Sequence, residues 1–169
     1  MQVGIALGSN IEPRLLNLQA AGRRLQSLHR GAGEILASPI YETSPVDCPV
    51  GSPNFLNAVV EIVSDLQPET LLKYLQTIEM ELGRPSQRTK NSPRTVDLDM
   101  LYCDEFTLDG PSLILPHPRI AERLFVLKPL ANIRPDLKLP NYRSTIKTLF
   151  ESYSGSENPT IVQNANLLA

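Results

Sequence analysis

The stretch SPRTVDLDM, Ser92 to Met100, sets two aspartates two residues apart inside an apolar run. In a strand, residues i and i+2 point to the same face. Asp97 and Asp99 then stand side by side, with Val96, Leu98 and Met100 turned the other way. Like charges that close destabilise a strand unless a third group neutralises them. Aspartate is also a poor strand former, and a plain solvated face would more often carry Thr, Lys or Glu. Two hard carboxylates so placed suit a Mg²⁺ site completed by water and substrate phosphates.

Read as a strand over Thr95 to Cys103, this stretch is the last element of a recognisable order. Val3 to Leu7 reads as a buried strand, broken by Gly-Ser-Asn. Pro13 opens a helix to about His29, with Leu15, Leu18, Gly22, Leu25 and Leu28 roughly on one face. Glu34 to Thr43 reads as a second strand, with Pro39 marking an edge or bulge. The proline-rich Ser44 to Pro53 is a loop. Asn54 to Ser64 is a third strand, with Phe55, Asn57, Val59 and Glu61 on one face. Ser64 or Asp65 caps a second helix opened by Pro68, striped by Leu71, Leu75, Ile78 and Leu82 and ended by Gly83.

The order β-α-β-β-α-β predicts an α+β, ferredoxin-like sandwich: an antiparallel sheet with helices packed on one face. The other face and the loops at its ends are then free to bind a ligand. A turn at Asp109-Gly110-Pro111 leads to a short strand, a helix from about Pro118 and a last helix from Arg143 to Glu151. Residues 1–151 are expected to form a single domain and residues 152–169 a loosely ordered tail.

The chain's 169 residues fit one domain, and its net charge of -2 argues against a general nucleic-acid binder. Cys48 and Cys103 lie far apart with no C-x-x-C, which suggests neither zinc nor a redox pair and fits a reducing compartment. The first residues lack the basic and apolar regions of a signal peptide, and no run approaches a membrane span. A cytoplasmic protein is expected.

Beside the aspartates, the segment Arg84 to Arg94 holds Arg84, Arg88, Lys90 and Arg94 and no acid. Guanidinium forks suit phosphate oxygens, although such a loop can also be merely exposed. In LPHPRIAERLF, His117 and Arg123 bracket a helix start, where either meets a phosphate or simply a local hydrogen bond or ion pair. Gln76 and Glu79 share a helix face that alone reads as solvated. Asn57, flanked by Phe55 and Val59, can pair with the donor and acceptor edge of a heterocycle, or be an ordinary edge-strand asparagine. No P-loop, G-x-S-x-G, H-E-x-x-H or G-x-G-x-x-G is present.

The blocks ALGSN, YETSPV, PNFLNAVVEI, the Gln76–Glu79 helix ending in Gly83-Arg84, SPRTVDLDML and LPHPRIAERLFVLKPL run in one order to about Asp136. Together they resemble the 6-hydroxymethyl-7,8-dihydropterin pyrophosphokinase family of folate biosynthesis. The resemblance implies that ATP gives its β,γ-diphosphate, as one unit, to the hydroxymethyl oxygen of the pterin, and that AMP leaves. It implies two Mg²⁺ ions on Asp97 and Asp99, and phosphates held by Arg84 and Arg94 with help from Arg88 and Lys90. His117 and Arg123 are then expected to contact ATP, with Gln76 near it. Phe55 and Phe125 are expected to stack on the pterin ring. Asn57 and the backbone of Thr43, Ser44 and Pro45 are expected to pair with its edge, with Glu79 supporting that wall. The sequence departs from many members at Ser86, Asn91, Ser92 and Pro118, where a second arginine, an aromatic, a glycine and a tyrosine are usual. A monomer acting on small molecules, with no nucleic-acid or membrane partner, is expected. The alternatives are a two-aspartate nucleotidyl transferase or cyclase, and an RNA-recognition-like module. The module fits poorly with 5% aromatic residues and no Trp.

Overall fold

Strand β1, Gln2–Ser9, is buried along almost its whole length, as a central strand covered on both faces must be. The computed structural model describes residues 1–46, 48–83 and 93–169. The elements that follow β1 are α1 (Arg14–Leu28), β2 (Leu36–Ala37), β3 (Tyr41–Thr43), β4 (Phe55–Val63), α2 (Pro68–Glu81) and β5 (Asp97–Cys103). The sheet is antiparallel in the order β5-β1-β4-β3-β8, where β8 is Thr160–Ile161, with β2 also on β4. The predicted β-α-β-β-α-β core is therefore present. On one face, Leu18, Leu25, Leu71, Leu75 and Ile78 of α1 and α2 pack on Ile5, Leu7, Val60, Ile62, Leu98 and Met100.

The opposite face was expected to be open, and half of it is not. After the hairpin β6 (Leu108–Asp109) and β7 (Ile114–Leu115), a 3-10 turn at Ile120–Glu122 leads into α3 (Leu124–Ile133), followed by α4 (Ile146–Glu151). Val126, Leu127 and Leu130 of α3 cover Val59 and Leu101. A helix this apolar must bury itself, and the bare half-face is the surface within its reach. The end of the face carrying Phe55, Asn57, Asp97 and Asp99 stays clear of that cluster.

On this face β1 presents Gly4, Ala6 and Gly8 after the exposed Gln2 at its start. Gly4 lies between Glu61 and Tyr102, where a Cβ would come within 2.2 Å of the Tyr102 ring. The ladder shifts between Gly4 and Ile5, which makes Leu101 an extra residue and turns both Leu101 and Tyr102 into the second core. Several expected boundaries move as well. The second strand splits at Pro39, which has no N–H to give; Ser38 instead exchanges hydrogen bonds with the backbone of Val59. Neither Ser64 nor Asp65 caps α2: Gln67 holds the N-cap position, and the Ser64 hydroxyl accepts the Leu66 N–H.

Residues 152–169, expected to be loose, are seated on the domain. Strand β8 (Thr160–Ile161) extends the sheet beyond β3, and the Val162 N–H donates to Ile40. Lys128 donates to the Pro159 carbonyl at 2.8 Å, and Leu167 is buried against α1. The tail's few apolar residues show no period, yet they suffice once the unpaired β3 edge recruits their backbone. Gly22 in α1 reports this seat, because a Cβ there would lie 2.6 Å from the Leu167 carbonyl oxygen. Gly→Ala inside a helix ordinarily stabilises by about 1 kcal/mol. Gly22→Ala is expected instead to destabilise by about 1 kcal/mol, since overpacking costs roughly 1–3 kcal/mol. A thermal unfolding midpoint above wild type would show that the tail does not sit on α1.

Candidate active site

The site is built across Gly8. This glycine pairs with Asn57 of β4 on one side and Asp97 of β5 on the other. A Cβ at Gly8 would meet Asn57 Oδ1 at 3.0 Å, the Phe55 ring at 3.7 Å and Asp97 Cβ at 4.0 Å. A glycine inside a strand marks a close approach, and here its bare backbone is a floor between an amide and a carboxylate.

Asp97 and Asp99 share the face as the alternation requires, with Leu98 and Met100 buried behind them. Each has an arginine beside it. Arg94 Nη1 lies 2.7 Å from Asp97 Oδ2, and Arg123 Nη1 lies 4.0 Å from Asp99 Oδ2. These guanidinium groups already offset the repulsion between the two carboxylates. Asp97 is largely sheltered, whereas the Asp99 side chain is 46% exposed.

Arg94 is fixed from behind by buried Asn10, whose Oδ1 accepts the Arg94 N–H at 2.8 Å and whose own N–H donates to the Arg94 carbonyl. The Arg94 guanidinium lies 5.7 Å from the centre of the Phe55 ring, and its Nε is buried with no acceptor among the described residues. A buried charged donor without an acceptor is costly, and a phosphate oxygen would satisfy it.

Beyond Asp99, the His117 N–H donates to the Leu101 carbonyl at 2.7 Å, which ties the segment before α3 to β5. The Arg119 N–H donates to His117 Nδ1, leaving Nε2 to carry the proton. Burial, then Arg123 and Arg119, pushes the His117 pKa down to about 4. The ring is therefore neutral at pH 7 and offers one N–H. Arg123 stands at the start of α3, its guanidinium 5.4 Å from the centre of the half-buried Phe125 ring.

On the β4 side, Asn57 Nδ2 donates to the Thr43 hydroxyl at 2.7 Å, and both residues are buried. Asn57 is thus an oriented amide on the site floor. Phe55 pairs with Thr43, and Ser44 and Pro45 continue from it.

Glu79, expected to support this wall, is not brought to it. Glu79 belongs to α2, in the layer behind the sheet, and its Oε1 accepts the Leu98 N–H at 2.7 Å. As β5 is an edge strand, its outward N–H needs such a partner. Glu79 supports the aspartate strand, not the wall of Phe55 and Asn57. Gln76 is exposed on α2. Arg84, Arg88 and Lys90, with Ser86, Asn91 and Ser92, lie outside the described residues. Sequence reasoning does not single out Gly8 and Asn10 as site residues; their only signal is the Gly-Ser-Asn break after a buried strand.

Among the described residues no group of three or more His, Cys, Asp or Glu side chains forms a metal cage. A pair of carboxylates on one strand face suits Mg²⁺, which keeps several waters and shares substrate phosphates.

Comparison with known proteins agrees with this arrangement. The family model described as 7,8-dihydro-6-hydroxymethylpterin-pyrophosphokinase (HPPK) matches residues 4–135. The 2-amino-4-hydroxy-6-hydroxymethyldihydropteridine pyrophosphokinase of Bacillus subtilis is 46% identical, over 76% of this chain and 75% of its own. Its Pseudomonas aeruginosa namesake is 40% identical, over 84% of this chain and 86% of its own. The folic acid synthesis protein fol1 of Pneumocystis carinii is 40% identical over 88% of this chain, which spans only 20% of that longer protein. A Plasmodium falciparum HPPK-DHPS crystal structure with pteroate superposes with a TM-score of 0.69 at 17% identity, over 90% of this chain and 42% of that one. At that identity the likeness speaks for the fold alone. By the family match and by relatives alike over most of their own length, this chain belongs to the 7,8-dihydro-6-hydroxymethylpterin-pyrophosphokinase family.

Proposed function

We propose that this chain transfers the β,γ-diphosphate of ATP, as one unit, to the hydroxymethyl oxygen of 6-hydroxymethyl-7,8-dihydropterin, releasing AMP in folate biosynthesis. The observation that carries this reading is the juxtaposition across Gly8, where a fixed amide meets a pair of carboxylates flanked by arginines. The amide of Asn57 and the backbone from Thr43 to Pro45 take the pterin edge, with Phe55 and Phe125 as ring contacts. Asp97 and Asp99 would hold Mg²⁺, two ions in this reading, which neutralises charge on the transferred phosphates.

Arg94 supplies its unsatisfied Nε to a phosphate oxygen. Arg123 adds charge, and neutral His117 adds one N–H donor. Arg84, Arg88 and Lys90 would complete the phosphate contacts, with Gln76 beside the nucleotide. In the step itself the hydroxymethyl oxygen bonds to the β-phosphorus. The bond from that phosphorus to the oxygen bridging the α-phosphate breaks, its electrons leave with AMP, and the hydroxyl proton passes to Asp97. No helix among the described residues is long and apolar enough to cross a membrane; a cytoplasmic monomer acting on two small molecules is the proposed setting.

The test is a product assay with Mg²⁺, ATP and the pterin, nucleotides resolved by chromatography. Pterin-dependent AMP without ADP is expected. Release of free pyrophosphate would instead support the nucleotidyl transferase or cyclase reading.

A further inference from the structure

Arg14 opens α1 on the helical side of the sheet, and the reaction described above gives it no task. Its side chain is only 22% exposed, and it holds three acceptors. Nη1 donates to Glu42 Oε1 at 2.7 Å and to the Asn54 carbonyl at 3.0 Å, while Nε donates to Glu12 at 2.8 Å. Glu42 immediately precedes Thr43, and Asn54 immediately precedes Phe55. Thr43 and Phe55 are paired across the ladder, Thr43 ending β3 and Phe55 opening β4 on either side of the proline-rich segment that joins them.

Arg14 therefore clasps both ends of that segment at once. The strands need the clasp, because β3 is only three residues long and so short a strand supports itself weakly. A planar guanidinium fork can serve several fixed acceptors together, which an ammonium cannot do with the same geometry. Glu42 points to the helical side and Thr43 to the site side, so a pull on one orients the other. Thr43 in turn holds the Asn57 amide.

We propose that Arg14 is a positioning residue for the pterin wall: by holding Glu42 and the Asn54 carbonyl it sets the placement of Thr43 and Phe55, and through Thr43 the angle of the Asn57 amide. This rests on reading that wall as the pterin site. The test compares Arg14→Gln and Glu42→Gln with Arg24→Gln, which breaks a different α1 ion pair, to Glu81, between half-exposed side chains.

Arg14→Gln is expected to raise KM for the pterin roughly tenfold, less than the hundredfold a 1 Å misplacement can cost, with KM for ATP unchanged. Glu42→Gln shifts the pterin KM the same way by a smaller factor, and Arg24→Gln leaves both constants alone. The side-chain amide resonances of Asn57 move in the first two variants only. Equal changes in both KM values, or an Asn57 amide unmoved in folded Arg14→Gln and Glu42→Gln, would overturn the clasp. A wild type that fails to turn over the pterin would sink the substrate assignment, while the amide resonances would still decide the role of Arg14.

Discussion

Asp99→Asn is expected to lower kcat by about three orders of magnitude while leaving the unfolding midpoint at or above that of the wild type. A carboxylate holding Mg²⁺ at a transferring phosphate supplies several kcal/mol of charge stabilisation, and each 1.36 kcal/mol is tenfold in rate, so a loss of roughly 4 kcal/mol gives about that factor. The Asp99 side chain is 46% exposed, where an ion pair is worth little, and its neighbour on the strand face carries the same charge, so removing the Asp99 charge also removes a repulsion. Asp97→Asn is expected to cost as much activity but to lower stability as well. It removes the charge paired at 2.7 Å with the sheltered Arg94 guanidinium. Steady-state AMP release and thermal unfolding, measured on both variants, separate the two effects. Turnover within tenfold of wild type in either variant would refute the metal-ligand roles.

The same pair of aspartates shows how far the sequence can be read. Their common face follows from a period of two, and so do the buried Leu98 and Met100 behind them. The stripes of α1 and α2 likewise predicted the first core. What failed were facts about distant partners. The apolar run of α3 is plain in the sequence, but nothing local says that it covers Val59 and Leu101 and leaves Phe55 and Asn57 clear. Glu79 reads as half of a solvated pair, because its use, the Leu98 N–H of an edge strand, depends on sheet order. Gly8 and Asn10 were visible only as a strand break; their value comes from β4 and β5 closing on either side. The tail lacked periodicity, and its docking comes from the unpaired β3 edge. Glu61 shares the face of Asn57 as a period of two requires, but its partner Arg134 stands 73 residues further along.

Glu61→Ala should therefore give the largest stability loss of any single substitution considered, about 3 kcal/mol. The carboxylate is 6% exposed, takes Arg134 Nε at 2.8 Å and Nη2 at 2.5 Å, and accepts the Tyr102 hydroxyl at 2.6 Å. Breaking a buried ion pair from one side costs roughly 3–5 kcal/mol, because the other charge is left unpaired. The low end applies, since Arg134 retains 32% of its side-chain exposure and water can partly replace the lost partner.

For a domain of this size the unfolding midpoint should fall by roughly 6–12 °C. Tyr102→Phe leaves the ion pair intact and should cost only about 1 kcal/mol, the net worth of one hydrogen bond. The two variants also differ with pH. Burial first, and then Glu61, raises the Tyr102 pKa above its ordinary value of 10.0. Below pH 10 the phenol is protonated in both folded and unfolded chains, and its contribution is fully present. Above pH 10 the unfolded chain sheds the proton while the folded chain keeps it, so stability falls. Tyr41, Tyr142 and Tyr153 are shifted the same way, so Tyr102→Phe should remove one share of the alkaline loss and not all of it. Urea unfolding between pH 7 and 11 measures both quantities. A Glu61→Ala loss below about 1 kcal/mol, the scale of an exposed pair, would mean that solvent reaches the network and that α3 is held to the sheet by its apolar face alone.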